Sequence, residues 1–284
     1  MPSADEIRDA QRATWAALSA GWDKWDPLIM DQLGPVGASI IENLDIAEDN
    51  QHLDIASGTG EPGLSIARLL PSGRVVLTDL AAEMLELAAR RARAQGITNV
   101  ETKVCSADDL PFDDATFDSV SVRFGYMFFP DMARATAEFA RVLKPGGRLC
   151  SSVWVKPKEN PWTSIAMQAI QTEVVVAAPD RNGPNMFRCA ASGSVTALYE
   201  GAGLRDMAEW DVAVELVTRS PEQYWEVISE HVSLVVATLE QVDDSARERI
   251  RAHAIAEVCE FEKDGEIRVP GLARCIVGTK PRTE

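Results

Sequence analysis

The chain has 284 residues, 46% of them hydrophobic and 25% charged, which suits one large domain or a core with a lid and requires no disulfide or metal staple. A net charge of −16 speaks against a nucleic-acid backbone or an anionic membrane surface as partner, because both need clustered Lys and Arg. Five scattered cysteines without a CxxC spacing and three widely separated histidines give no zinc signature, so no metal is expected.

The opening stretch MPSADEIRDAQ is acidic and polar, unlike a signal peptide, and no apolar run approaches the roughly 18 residues of a membrane span. The expected location is the cytoplasm. Residues 5–20 read as a helix with Ile7, Trp15 and Leu18 as its apolar positions, broken by Gly21-Trp22-Asp23-Lys24-Trp25-Asp26-Pro27, and a second helix covers residues 28–43. Gln51–Ala56 then reads as a short buried strand, followed by a glycine loop and a helix over residues 62–70. Arg74–Thr78 is a second strand, Ala81–Gln95 a helix closed by Gly96, and Val100–Cys105 a third strand. Phe117–Val122 is a fourth strand, Ala133–Leu143 a helix, and Pro145-Gly146-Gly147 turns the chain into a fifth strand, Arg148–Val155.

Strands and helices alternating at these lengths predict βαβ units, a doubly wound α/β fold whose sheet is mostly parallel and covered on both faces. After Val155 the alternation stops. Residues 161–178 and 221–258 read as helical, and strands return near Met207–Val217 and Arg268–Thr279. Three parts are expected: a helical cover over residues 1–45, a ligand-binding core over 46–155, and a helical substrate lid with the last strands over 156–284.

The most specific stretch is Leu53-Asp54-Ile55-Ala56-Ser57-Gly58-Thr59-Gly60-Glu61-Pro62-Gly63. Its glycines follow a strand and open a helix, where main-chain N–H groups can meet an anionic ligand at a partly positive helix end. A tight turn without a ligand, a dinucleotide site and an S-adenosylmethionine site all fit this pattern. Asp79 ends the second strand beside that loop, placed to accept the hydroxyl protons of a ribose or simply to cap the next helix. Three features separate the cofactors. Asp54 stands on the strand where a dinucleotide fingerprint has an apolar residue, Ser106-Ala107-Asp108-Asp109-Leu110-Pro111-Phe112 follows the third strand, and Leu143-Lys144-Pro145-Gly146-Gly147 introduces the fifth.

Taken together, LDIASGTG, VVLTDL, CSADDLPF, FDSVSVRFG and LKPGG over residues 53–149 resemble the class I methyltransferases, especially those similar to the ubiquinone and menaquinone C-methyltransferases. The resemblance covers about a third of the chain. It implies a Rossmann-like sheet of seven strands with the last pair antiparallel, a helical lid, S-adenosylmethionine as cofactor and S-adenosylhomocysteine as product. By resemblance Ala56, Gly58, Thr59 and Gly60 face the methionine part, Asp54 braces their loop, Asp79 holds the ribose, and Leu80 and Met84 pack near the adenine. Ser106 and Ala107 occupy adenine-contact positions. The family often has Asp at the position of Ser106, and Asp108 stands as its substitute. Arg123 sits at the methionyl end, where it can pair with the cofactor carboxylate, point at the substrate or hold a structural ion pair.

For the acceptor side, Trp22 and Trp25 resemble the aromatic stretch that covers the cofactor in relatives, with a cation–π contact to a sulfonium as one use and lid packing as the other. Tyr126, Met127 and Trp154 lie where such folds open toward an apolar or aromatic acceptor. His231 is the candidate general base, with packing as its bland alternative; His52 is read as structural and His253 as exposed. The expected activity is methyl transfer to O, N or C of a small apolar or aromatic metabolite. An NAD(P)-dependent oxidoreductase and a non-catalytic cofactor-binding protein of the same fold are the alternatives.

Overall fold

The computed structural model describes residues 3–175 and 183–282. Five strands follow the alternation: β1 (Gln51–Ile55), β2 (Arg74–Asp79), β3 (Val100–Val104), β4 (Phe117–Arg123) and β5 (Leu143–Trp154). The C-terminal part adds β6 (Arg205–Thr218), β7 (Glu262–Lys263) and β8 (Glu266–Thr279). The order is β3-β2-β1-β4-β5-β8-β6, parallel through β5 and antiparallel at β8 and β6, with two-residue β7 paired to β8. Seven strands therefore form the expected path, and β7 is an eighth that the sequence reading lacks. Its turn, Asp264-Gly265, holds both residues at positive φ as a tight hairpin requires.

The chain runs outward from β1 to β3 and returns on the other side of β1 as β4. That reversal opens a crevice at the carboxyl ends of β1 and β4, where doubly wound sheets hold their ligands. Helix α3 (Gly63–Ala67) packs on β1 and β2, α4 (Ala82–Ala94) on β2 and β3, and α5 (Met132–Val142) on β5. Apolar side chains such as Leu53, Ile55, Val75, Leu77, Val120 and Val122 are buried, as strands covered on both faces demand. One polar stripe interrupts them: His52 and Asp54 of β1 stand in register with Ser119 and Ser121 of β4, all four fully buried.

The remaining helices are α1 (Ala4–Lys24), α2 (Asp26–Asn43), α6 (Pro161–Gln171), α7 (Ser194–Gly201), α8 (Pro221–His231), α9 (Ser233–Leu239) and α10 (Asp244–Val258). Of these, α1, α2, α6, α8 and α9 contribute residues to the crevice, while α7 packs on α5, β6 and β8 and α10 on α6 and α8. Helix α1 starts on a capping box, with Ser3 and Glu6 each satisfying the other's backbone. It packs on α4 and α8, α2 packs on β4, β5, β6 and β8, and α6, α8 and α10 pack together. No helix among the described residues is long and apolar enough to cross a membrane.

Several boundaries differ from the sequence reading. The expected break at Gly21–Pro27 shrinks to the single residue Trp25, and α1 runs on to Lys24. A side chain at position 21 would place its Cβ 2.1 Å from the Glu230 carbonyl oxygen, so the glycine permits a close helix contact rather than ending the helix. The β5 strand begins at Leu143, five residues early, because the Gly146 N–H donates to the Lys280 carbonyl (2.8 Å) and draws the Pro-Gly-Gly turn into the sheet. Helix α3 is five residues long instead of nine. Helix α6 stops at Gln171, so residues 172–175 depart from the helix expected over 161–178, and residues 176–178 lie outside the described residues.

Candidate active site

The loop after β1 is built on two carboxylates. Asp54 is fully buried; its Oδ2 accepts from the Gly63 N–H (3.0 Å) and its Oδ1 from the Ser121 hydroxyl (2.5 Å). Burial pushes this carboxyl up to about 7 against the lowering effect of both hydrogen bonds. Asp79, at the end of β2, accepts from the Gly58 N–H through Oδ2 (2.9 Å) and from the Ala81 N–H through Oδ1 (2.9 Å). Burial raises its carboxyl above the ordinary range, opposed by those amides. Gly58 takes φ +52, a left-handed turn that lays the loop across the end of β2. Asp54 thus fixes the loop from beneath, and Asp79 fixes it from the side while bordering the crevice.

A cavity of about 1430 Å³, counting its open mouth, fills the crevice. Its loop side is lined by Ala56, Ser57, Gly58, Thr59, Asp79, Leu80, Met84, Cys105, Ser106, Ala107 and Asp108. The hydroxyls of Ser57 and Thr59 and the Gln32 amide nitrogen, all on lining residues, are buried without a hydrogen-bond partner. Orphaned polar atoms of this kind are costly unless a ligand or water completes them. These unpaired groups, with the Asp79 carboxylate and the apolar Leu80, Met84 and Ala107 in the same lining, suit an adenosyl cofactor. Arg8 of α1 reaches over this end, with its Nε 3.3 Å from Asp108 Oδ1, and Ser106 donates to the same carboxylate.

Arg123 ends β4 within the lining. Its guanidinium touches Met30 Sδ (3.6 Å), feels Glu61, Asp54 and Asp26 at longer range, and makes no ion pair among the described residues. A partly buried guanidinium that pairs with no carboxylate among the described residues suits an anionic ligand group. The structural ion pair weighed for Arg123 in the sequence is not found among the described residues. Beside it, Arg91 of α4 donates to the Thr59 carbonyl (3.2 Å) and pairs with Asp26 (2.7 Å) and Asp23 (3.4 Å), which ties the α1–α2 junction onto the glycine loop.

The other side of the cavity is aromatic. Phe124 stacks on Trp154 (4.3 Å between centroids), Trp154 lies 5.0 Å from Trp162, Trp162 stacks on His231 at 6.3 Å, and Trp22 meets His231 edge-on at 5.7 Å. Trp15 bridges Trp22 and Phe128. The charged lining residues, Arg8, Glu61, Asp79, Asp108 and Arg123, belong to the loop side. His231 Nδ1 lies 2.6 Å from the Val227 carbonyl, which can only accept, so Nδ1 carries the proton and Nε2 keeps its lone pair. Burial lowers this imidazole to about 4, leaving it neutral near pH 7.

Of the residues singled out in the sequence, the cavity gathers Ala56, Gly58, Thr59, Asp79, Leu80, Met84, Ser106, Ala107, Asp108, Arg123, Trp22, Met127, Trp154 and His231. Four stand outside its lining. Asp54 and Gly60 lie behind the loop. Trp25 turns its Nε1–H to Glu230 Oε2 (2.8 Å), and Tyr126 is fully buried with its hydroxyl 3.1 Å from that of Thr136. The sequence reading missed Arg8, Gln32, Trp15 and Phe124 as lining groups. Trp15 lies seven residues before Trp22, and because α1 continues through Gly21 the two share a helix face, a signal that the expected break at Gly21 concealed.

Fold, switch-point crevice and acid-braced glycine loop together define a class I methyltransferase-type protein. The family model for the ubiE/COQ5 methyltransferase family matches residues 16–177, more than half of the chain, and the chain belongs to that family. A ubiquinone/menaquinone biosynthesis C-methyltransferase of Hahella chejuensis is 43% identical over 116 residues, 40% of this chain and 46% of the relative. The chain thus spans about half the length of the curated relatives it matches. Among solved structures, the YcgJ protein of Bacillus subtilis superposes with a TM-score of 0.57 at 21% identity, covering 87% of this chain and 98% of that one. Phosphoethanolamine N-methyltransferase 2 of Haemonchus contortus gives 0.57 at 16% identity, covering 99% of this chain and 61% of that one. Both likenesses bear on the fold. The family placement lends nothing to the oxidoreductase alternative.

Proposed function

We propose that this chain transfers a methyl group from S-adenosylmethionine to a small, uncharged, hydroxylated aromatic acceptor. The observation that carries the reading is one continuous cavity with a polar, acid-bordered half and an aromatic half that holds an unprotonated imidazole nitrogen. When bound, the cofactor supplies a methyl group already activated on sulfonium. The chain's own task is then to position, desolvate and take up a proton.

Asp79 would accept the ribose hydroxyls, Met84, Leu80 and Ala107 would flank the adenine with Asp108 at its edge, and Gly58, Thr59 and Arg123 would hold the methionyl end. Trp22, Phe124, Trp154 and Trp162 would stack on the acceptor and exclude water. Holding two reactants in line can supply about 7–11 kcal/mol of the barrier. His231 Nε2 would accept the hydroxyl proton of the acceptor. Ionising a ring hydroxyl enriches both its oxygen and the neighbouring ring carbons, so the same base serves O- and C-methylation. The names of the curated relatives carry C-methylation in ubiquinone and menaquinone biosynthesis. An aromatic half without charged side chains suits such a neutral ring better than a phosphobase of the kind bound by the Haemonchus contortus protein. The three-part organisation would follow: residues 1–45 as cover, 46–155 as cofactor core, 156–284 as acceptor lid. Five free cysteines and a strongly acidic chain support the cytoplasm as its location.

Calorimetry with S-adenosylmethionine, S-adenosylhomocysteine and NAD tests the cofactor, beside Asp79→Ala. Binding of both adenosyl sulfur compounds, weakened in the variant and lacking for NAD, is expected; NAD binding alone would overturn the reading. Acceptors are then screened as neutral phenols and hydroquinones against phosphobases, with the methyl position located in the product.

A further inference from the structure

The sheet ends on β3, whose outer side meets no other strand among the described residues. The Asn99 carbonyl accepts from the Val75 N–H (2.9 Å), and the Cys105 N–H donates to the Asp79 carbonyl (3.1 Å). Parallel pairing alternates along a strand, so the odd-numbered residues of β3 serve β2, while Val100, Thr102 and Val104 turn their N–H and C=O groups outward. The strand is open to solvent as well: Glu101, Thr102, Lys103 and Val104 are all exposed. Four large apolar side chains stand exposed among the described residues, and two of them flank this edge. Val104 closes the strand. Leu69 lies by its start, in a segment that Asn99 ties down by donating to the Ala67 and Leu70 carbonyls (2.9 and 2.8 Å).

We propose that β3 is the docking edge for a second copy of this chain, the two strands pairing antiparallel about a two-fold axis at Thr102. This surface is separate from the proposed reaction and does not depend on it.

The sequence of the edge selects that register. Only residues 100, 102 and 104 can bond outward, so each must meet an even-numbered residue of the partner. Centring the pair on Glu101 or on Lys103 sets two like charges directly opposite each other, which is destabilising. Centring it on Val100 or Val104 leaves most of the strand unpaired. Centred on Thr102, Val100 meets the partner's Val104 and Thr102 meets the partner's Thr102, each exchanging both main-chain hydrogen bonds along the full strand. Glu101 then faces the partner's Lys103, and Lys103 the partner's Glu101. These are the positions without main-chain bonds, where facing Cα atoms approach to about 4.5 Å and side chains come closest.

A lysine on an edge strand ordinarily keeps other chains away. Here Glu101 stands two residues before Lys103 and on the same face, so the edge is complementary to its own antiparallel copy and repels a parallel one in register. A two-fold contact closes on itself and stops at the dimer. Its five residues span only about 17 Å, and each copy carries a net charge of −16, so the association is reversible rather than obligate.

The test is sedimentation velocity of the full chain over about 5–500 µM at about 0.15 M salt, a range that brackets a weak dimer. A reversible monomer–dimer equilibrium is expected. Thr102→Pro removes the central outward N–H without touching the β2 ladder, a place where an edge strand tolerates proline, and should abolish the dimer while circular dichroism stays that of the wild type. If that variant fails to fold, the exposed charges decide. Glu101→Lys and Lys103→Glu shift the net charge in opposite directions, yet each sets like charges opposite and should raise the dimer Kd about tenfold or more. The combined Glu101→Lys/Lys103→Glu variant should restore the wild-type Kd. A monomer throughout the range, a dimer unchanged by a folded Thr102→Pro, or a combined variant as weak as the single ones would each overturn the proposal.

Discussion

His231 combines three properties of a general base: a proton fixed on the far nitrogen by Val227, neutrality imposed by burial, and aromatic neighbours that would flank an acceptor ring. Removing it with His231→Ala should lower kcat by roughly 10²–10⁴-fold, the usual size of a general-base contribution, while S-adenosylhomocysteine affinity stays unchanged. Equal turnover in the variant under single-turnover conditions would reduce His231 to a wall of the cavity. Asp79→Ala should act oppositely, on cofactor affinity first, because it strands the Gly58 and Ala81 N–H groups at about 1–3 kcal/mol each where water does not replace the carboxylate. Residues of the glycine loop and the strand ends were legible in the sequence because local chemistry dictates them: glycine at positive φ, an acid where a strand stops. Tyr126 and Trp25 were not, since whether an aromatic ring faces a cavity or the core is decided by partners such as Thr136 and Glu230, ten and 205 residues away.

Among the elements, α1 matters most to access, because its lining residues run from Arg8 at the loop side to Trp15 and Trp22 at the aromatic side. Two kinds of contact hold its C-terminal end to α8. Lys24 and Trp25 share the Glu230 carboxylate, each at 2.8 Å, and the α1 backbone at Gly21 lies against the Glu230 carbonyl. The Lys24–Glu230 pair is half-exposed, and such pairs contribute about 0–1 kcal/mol, so Glu230→Gln should barely move Tm. Gly21→Val cannot be absorbed so easily, because its Cβ would collide with backbone rather than with a flexible side-chain end. Overpacking of this kind costs typically about 1–3 kcal/mol, and the helices must separate to relieve it. The expected outcome is a lower Tm, a cavity open to water and a drop in turnover larger than the loss in cofactor affinity. A Tm and a turnover equal to wild type would mean that α1 is not seated as described. The sequence could not show this contact: a glycine followed by Trp-Asp-Lys-Trp-Asp-Pro has the composition of a helix break, and only the approach of α8, some 200 residues later, gives the glycine its use.

At the scale of the whole molecule, the parallel half was readable because each βα unit is local and repeats its own pattern, whereas the placement of α6, α8 and α10 follows from packing between distant segments. The polar stripe was equally hidden, for it arises only when β1 and β4 pair. That stripe and the cavity give the molecule an unusual acid response. His52 is lowered to about 3 and His231 to about 4, both by burial, against an unfolded value near 6.5, so between about pH 5 and 6 the unfolded chain binds two protons that the folded chain does not. Asp54, raised to about 7, works the other way: the folded chain holds its proton through this window and the unfolded chain does not. Asp79 and Asp26, also raised by burial, act in the sense of Asp54. Among His52, His231 and Asp54 the balance is two protons against one, and stability should fall on acidification by about 1.4 kcal/mol per pH unit from these three groups. Asp54→Asn removes the compensating proton, so its slope over the same window should be about twice that of the wild type, read from urea midpoints at several pH values. His231→Gln removes one of the opposing pair and should flatten the slope toward zero. A wild-type stability that rises on acidification through this window would mean that the two imidazoles are not buried neutral, which would remove the proton-accepting state that the proposed reaction requires of His231.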